Sequence, residues 1–95
     1  MGTYVILSVV SPEAFTNPKD FRQTADKVAE LIKKECPAVK WKDSYATFGR
    51  FDIVDVVSSD DPRQVARAAA IIRAYGHATT ETMEATKWED FLDSL

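Results

Sequence analysis

The sequence predicts an α+β fold in which a four-stranded antiparallel sheet carries two helices on one face. Three observations lead there. Asn17-Pro18 and Asp61-Pro62 each open an amphipathic run of helical period. Gly49-Arg50 separates two strand-like runs at the spacing of a hairpin. β-Branched runs near the two ends of the chain supply the remaining strands, so the order is strand, helix, strand, strand, helix, strand.

Thr3 to Val10 reads as the first strand, bounded by Ser11-Pro12. Its odd positions, Val5, Leu7 and Val9, are all apolar. Its even positions, Tyr4, Ile6, Ser8 and Val10, are mixed, and the mixed face is assigned to a ligand or partner. Asn17 at the N-cap, Pro18 at the first helical position and Asp20 in the first turn start a helix that Cys36-Pro37 ends. Phe21, Ala25, Val28 and Ile32 form its inner stripe. Val39–Phe48 and Phe51–Val57 are the hairpin strands, joined through a type II′ turn at Gly49-Arg50. That register sets Phe48 against Phe51, Ala46 against Ile53 and Ser44 against Asp55 on a core-like face, where Asp55 is a misfit. The other face carries Thr47 and Asp52, Tyr45 and Val54, Asp43 and Val56.

Asp61-Pro62, with Gln64 completing a capping box, starts the second long helix. Val65, Ala69 and Ile72 line its inner side, and Gly76 is placed as its C-cap. Ala70 and Ala74 on its outer side are read as helix formers rather than as a close-approach surface. His77 to Ala85 is the last strand, and Lys87 to Leu95 a short terminal helix carrying Trp88, Phe91 and Leu92. Right-handed crossovers then favour a ferredoxin-like βαββαβ arrangement. Its second sheet face is bare in a monomer, so face-to-face pairing of two copies is expected.

Ninety-five residues make one domain, 1–95. A net charge of −3 and a pI near 5.0 argue against a nucleic-acid partner. Lys33, Lys34, Lys40 and Lys42 around Trp41 are read as protection of an outer strand rather than as a stacking platform. Cys36 is the single cysteine, which excludes an internal disulfide. The Val5–Val10 run is too short for a signal peptide or a membrane span, so a complete, cytoplasmic chain is expected.

The stretch Tyr45-Ala46-Thr47-Phe48-Gly49-Arg50-Phe51-Asp52 resembles the signature of the GYD domain family. Asp60-Asp61-Pro62, the Ala-rich helix, Gly76-His77 and Glu81-Thr82-Met83 are also similar to that family, so the resemblance covers nearly the whole chain. Gly49 and Asp52 match the motif and Tyr45 matches it loosely, whereas Phe51 stands where the family more often has tyrosine. The resemblance implies similarity to dimeric α+β barrel proteins and implies no settled biochemical role.

The candidate ligand-binding residues are Tyr4, Ser8, Trp41, Tyr45 and Asp52, with Asp43 beside them, on a cavity between paired sheets. A carboxylate in such a cavity could serve as a general base. The structural reading, in which Asp52 bonds turn backbone beside Gly49, is favoured because Asp next to a tight turn commonly does so. His77 is the second weak catalytic candidate, and it is better read as a surface residue at a helix C-terminus. His77 and Glu81 are about 13 Å apart along a strand, so no metal site is legible, and no cofactor is expected. Three readings stay open. The favoured one is a homo-oligomeric module holding a small, partly apolar ligand between sheets. The others are a cofactor-independent enzyme of monooxygenase or isomerase type and a purely structural assembly domain.

Overall fold

Both proline-marked helix starts are used. The computed structural model describes residues 1–95, apart from the side chain of Phe15. β1 (Gly2–Val10) and a short 3-10 turn (Pro12–Phe15) lead to α1 (Pro18–Glu35). β2 (Lys40–Ala46), β3 (Ile53–Ser59), α2 (Pro62–Tyr75), β4 (Ala78–Ala85) and α3 (Trp88–Asp93) follow. Asn17 Oδ1 accepts from the Lys19 N–H at 3.0 Å, and Asp61 Oδ1 accepts from the Arg63 N–H at 3.0 Å. Each bond satisfies an amide that the first helical turn leaves without a partner. The capping box at α2 does not close, however. Gln64 instead accepts from the Ala38 N–H at 2.8 Å, tying the start of α2 to the loop after α1. The Asp61 N–H is taken by Ser59 Oγ at 3.0 Å.

The strands form one antiparallel sheet in the order β2-β3-β1-β4, the ferredoxin-like arrangement with β1 and β3 at its centre. The core lies between this sheet and the helices, around Ile6, Val57, Val65, Ala68 and Ile72, with Ile32 and Cys36 from α1. The hairpin register is the predicted one from Asp43↔Val56 to Ala46↔Ile53. Its turn is not. Neither Gly49 nor any other glycine has positive φ, which a type II′ turn requires. The chain leaves the ladder earlier, and residues 47–52 form a wider loop closed by the Thr47 N–H to the Asp52 carbonyl at 2.9 Å.

One face assignment is reversed. Ile6 pairs with Asp55 and Ser8 with Ile53, so the even positions of β1 share the helix-covered face with the core side of the hairpin. Ile6, Ser8 and Val10 are buried there. Val5, Leu7 and Val9 lie on the open face, beside Val54 and Val56 of β3 and Met83 of β4. Apolarity alone favoured the opposite choice, because the uncovered face is the more uniformly apolar of the two.

The exit from α2 also differs from expectation. Gly76 keeps a right-handed conformation (φ −94°), and His77 takes the left-handed one (φ 53°) that a glycine usually fills. Gly76 is needed for space: a Cβ there would lie 2.6 Å from the Ile72 carbonyl oxygen. His77→Gly is therefore expected to stabilise the fold by about 0.5–1 kcal/mol, through relief of backbone strain. Gly76→Ala should destabilise it by about 1–3 kcal/mol. Urea titrations of the two variants read both signs, and a destabilised His77→Gly would contradict the strain.

Cys36 closes α1 and is buried in the core. Burial pushes its thiol pKa up from 9.0, with Glu35 adding to the rise and Arg67 opposing it. The folded state thus holds the thiol proton more tightly than the unfolded chain. The corresponding stability is present below about pH 9 and is lost as pH rises through the folded pKa. Native protein should react with a disulfide reagent at pH 8 far more slowly than urea-unfolded protein; equal rates would place the thiol at the surface.

Candidate functional site

The predicted site residues do not meet on one surface. Tyr4 faces the helices and lines a groove between α2 and β4 with Val65, Ala69 and Thr80. Ser8 is fully buried under the helices. Tyr45 stands on the open face, paired with Val54 and 56% exposed. Trp41 would share that face in a regular ladder. A bulge at Lys42 sets Trp41 against Val57, and the one-residue shift turns its ring to the helix side. Asp52 sits at the end of the hairpin, where its Oδ2 accepts from the Val10 N–H at 2.8 Å. Its own N–H donates to the Ser8 carbonyl at 2.8 Å. Its carboxylate thus bonds backbone of β1, not the turn backbone beside Gly49 that the sequence suggested. His77 is exposed beside a groove of about 680 Å³ that Glu13, Asp20 and Arg73 also line, and its carbonyl accepts from the Ser11 N–H.

What the fold does bring together is a cleft of about 580 Å³ between α1 and the β2–β3 side of the sheet. α2 packs over β4 and β3, and α1 packs against α2, so the covering layer is thin over β2, whose residues are all exposed. One wall is aliphatic, with Ala25, Ala29 and Ile32 from α1. The opposite wall is a polar cluster on the sheet. Asp55 Oδ1 accepts from Trp41 Nε1 at 3.0 Å and from Ser44 Oγ at 2.6 Å, and the indole also reaches Ser44 Oγ at 2.9 Å. Asp55 is 6% exposed, and this cluster accounts for the carboxylate that the strand pattern could not place. Ser8 also borders this cleft, and its buried hydroxyl has no hydrogen-bond partner among the described residues. Sequence reasoning held part of this cluster, since it set Ser44 opposite Asp55. It lacked the bulge that adds Trp41.

A second surface is the open sheet face with its C-terminal extension. Val5, Leu7, Val54 and Val56 form its half-buried centre, and Val9, Met83 and Tyr45 lie around them, more exposed. α3 has no buried residue. Trp88 is 68% and Leu95 85% exposed, and the Trp88 and Phe91 rings stack on each other at 5.7 Å rather than on the sheet core. Among the described residues, no helix is long and apolar enough to cross a membrane.

Comparison with known proteins gives the same architecture. A curated protein of Thermus thermophilus named glutamine synthetase and cystathionine beta-lyase binding protein is 26% identical over 95 residues, covering 100% of this chain and 99% of its own length. The crystal structure of FFRP-DM1 superposes with a TM-score of 0.59 at 25% identity, covering 90% of this chain and 100% of that one. A hypothetical protein from Pyrococcus horikoshii superposes with a TM-score of 0.53 at 24% identity, covering 90% of each chain, and supports the fold alone. The GYD domain family model matches residues 4–95, and with the Tyr45–Asp52 hairpin and the sheet order above, the chain belongs to the GYD domain family.

Proposed function

We propose that this protein is a non-catalytic binding module: two copies pair through their open sheet faces, and the pair associates with other proteins through the exposed C-terminal helices. The observation that carries the reading is the open face itself. Its central strands present valine and leucine at every outward position from Val5 to Val9 and at Val54 and Val56, and among the described residues no helix makes more than slight contact across them. An apolar centre of this kind, flanked by Asp43 and Glu81 on the outer strands, marks an interaction surface on a small domain. Pairing two such sheets about 10 Å apart buries it as the core of a sandwich. α3 then projects Trp88, Phe91, Leu92 and Leu95 at the margin, where aromatic anchors serve partner recognition.

The relative named for binding glutamine synthetase and cystathionine beta-lyase supports the second half of the proposal, and it makes those two enzymes the first partners to test. Multi-angle light scattering of the chain alone should give twice its 10.6 kDa mass. Titration against each enzyme from the same genome should give a saturable complex that Trp88→Ala weakens. A monomer at micromolar concentration sinks the pairing, and absence of both complexes sinks the choice of partners. The enzymatic alternative, a monooxygenase or isomerase with Asp52 or His77 as base, has less support. The Asp52 carboxylate holds backbone, and His77 lies on a different surface from the polar cleft.

A further inference from the structure

We propose that the cleft between α1 and the sheet is a binding site for a small apolar amine, with its ammonium on Asp55 and Ser8 and its body between Trp41 and the aliphatic wall of α1. Asp55 is the first reason. A carboxylate this deeply buried is normally matched by a cation or a full set of donors. Here both donors, from Trp41 and Ser44, fall on Oδ1. Among the described residues no hydrogen bond reaches Oδ2, and no Lys, Arg or His nitrogen lies within 4.0 Å of either oxygen. Lys33 borders the cleft from the exposed side of α1 without reaching the carboxylate.

Ser8 is the second and independent reason. Ser8 lines the cleft, and among the described residues its fully buried hydroxyl has no partner, a state that costs free energy unless a ligand completes it. Ser8 lies on β1 and Asp55 on β3, one pair apart on the same face of adjacent strands. Two convergent polar groups at the side of an otherwise apolar cavity of about 580 Å³ match the general design of small-molecule sites. The chemistry selects the ligand class. An anionic oxygen with a free acceptor and a hydroxyl beside it favour a donor of positive charge, and disfavour a carboxylate. The remaining walls, Ala25, Ala29, Ile32 and the Trp41 ring, favour a compact aromatic or branched body. The cleft is on the covered side of the sheet, opposite the pairing face, so this site goes beyond the interface reading and stands or falls separately.

A matched set of probes tests it: phenethylamine, 2-phenylethanol and phenylacetate, titrated into nitrogen-15-labelled full-length protein. The indole N–H resonance of Trp41 should shift saturably with phenethylamine at millimolar concentration or below, while that of Trp88 stays in place. The alcohol should bind about tenfold more weakly, and phenylacetate should not bind. Asp55→Asn should lose about tenfold in amine affinity. Ala29→Phe, which fills the cleft from α1 and leaves the polar cluster intact, should abolish the shift with an unchanged backbone spectrum. Equal affinity for all three probes overturns the proposal. So does an unmoved Trp41 resonance with phenethylamine, or undiminished amine binding in Ala29→Phe.

Discussion

Under the proposed pairing through the open sheet face, Val56→Glu should leave the fold intact and give a monomer. Val56 is half-buried at the centre of the open face, opposite Val5 on the neighbouring strand and Asp43 on the hairpin partner. In a monomer the new carboxylate can turn to water. In a sheet-to-sheet pair it is enclosed, and two-fold symmetry places it in the interface twice. An unpaired charge in such an interface costs several kcal/mol, and about 3 kcal/mol already weakens association more than a hundredfold. The expected light-scattering result is a fall from twice the chain mass to 10.6 kDa at the same concentration. Val9→Lys and Met83→Lys, at positions 40% and 46% exposed in the single chain, are gentler versions that should act in the same direction. Lys27→Glu on the outer side of α1 serves as the control. A Val56→Glu protein that remains folded and dimeric would move the interface off this face.

The hairpin register was legible because side-chain period and a short connection leave few alternatives. Asp43, Ser44, Tyr45 and Ala46 meet the partners read from the sequence. The helix starts were legible for the same local reason: an Asx side chain three atoms from the backbone has few amides to reach. The orientation of β1 was not local. Which face of a central strand the helices cover depends on how β1 pairs with β3, and a face of valines and leucine fits a core and a subunit interface equally well. The shift of Trp41 to the other side of the sheet needed a single extra residue at Lys42, for which the strand has no sequence mark. Asp55 therefore looked like an error in a core strand, and becomes intelligible once Ser44 opposite it and Trp41, set against Val57, both donate to it. Ser8 and Trp41 lie on the helix-covered face rather than on the open face where the strand pattern set them.

The two surfaces impose different demands on the same sheet. β1 and β3 contribute valines to the open face and Ser8 and Asp55 to the cleft, in alternation. Any change of register by one residue exchanges the two sets and would put Asp55 on the open face. Something has to hold β1 and β3 in register at the end where the hairpin turns away. Asp52 is placed to do so.

Asp52→Ala should lower the melting temperature by about 5–15 °C, and Asp52→Asn by less than half as much. The last β1–β3 partners are Ser8 and Ile53. Beyond them, Asp52 replaces strand backbone with its own groups. Its N–H donates to the Ser8 carbonyl and its Oδ2 accepts from the Val10 N–H, each at 2.8 Å, so the ladder extends beyond the residue where β3 begins. The side chain of Val10 is buried, and a β1 amide next to it that loses its acceptor has little access to a replacement. Loss of such a charged hydrogen bond costs about 1–3 kcal/mol, and each kcal/mol is worth about 4–8 °C in a domain of this size. Asn keeps an acceptor at the same position without the charge, hence the smaller effect. The melts have to be compared at one protein concentration, since the proposed pairing would make the midpoint concentration-dependent. An Asp52→Ala protein that melts with the parent would free this carboxylate from its structural role and return it to the candidates for chemistry.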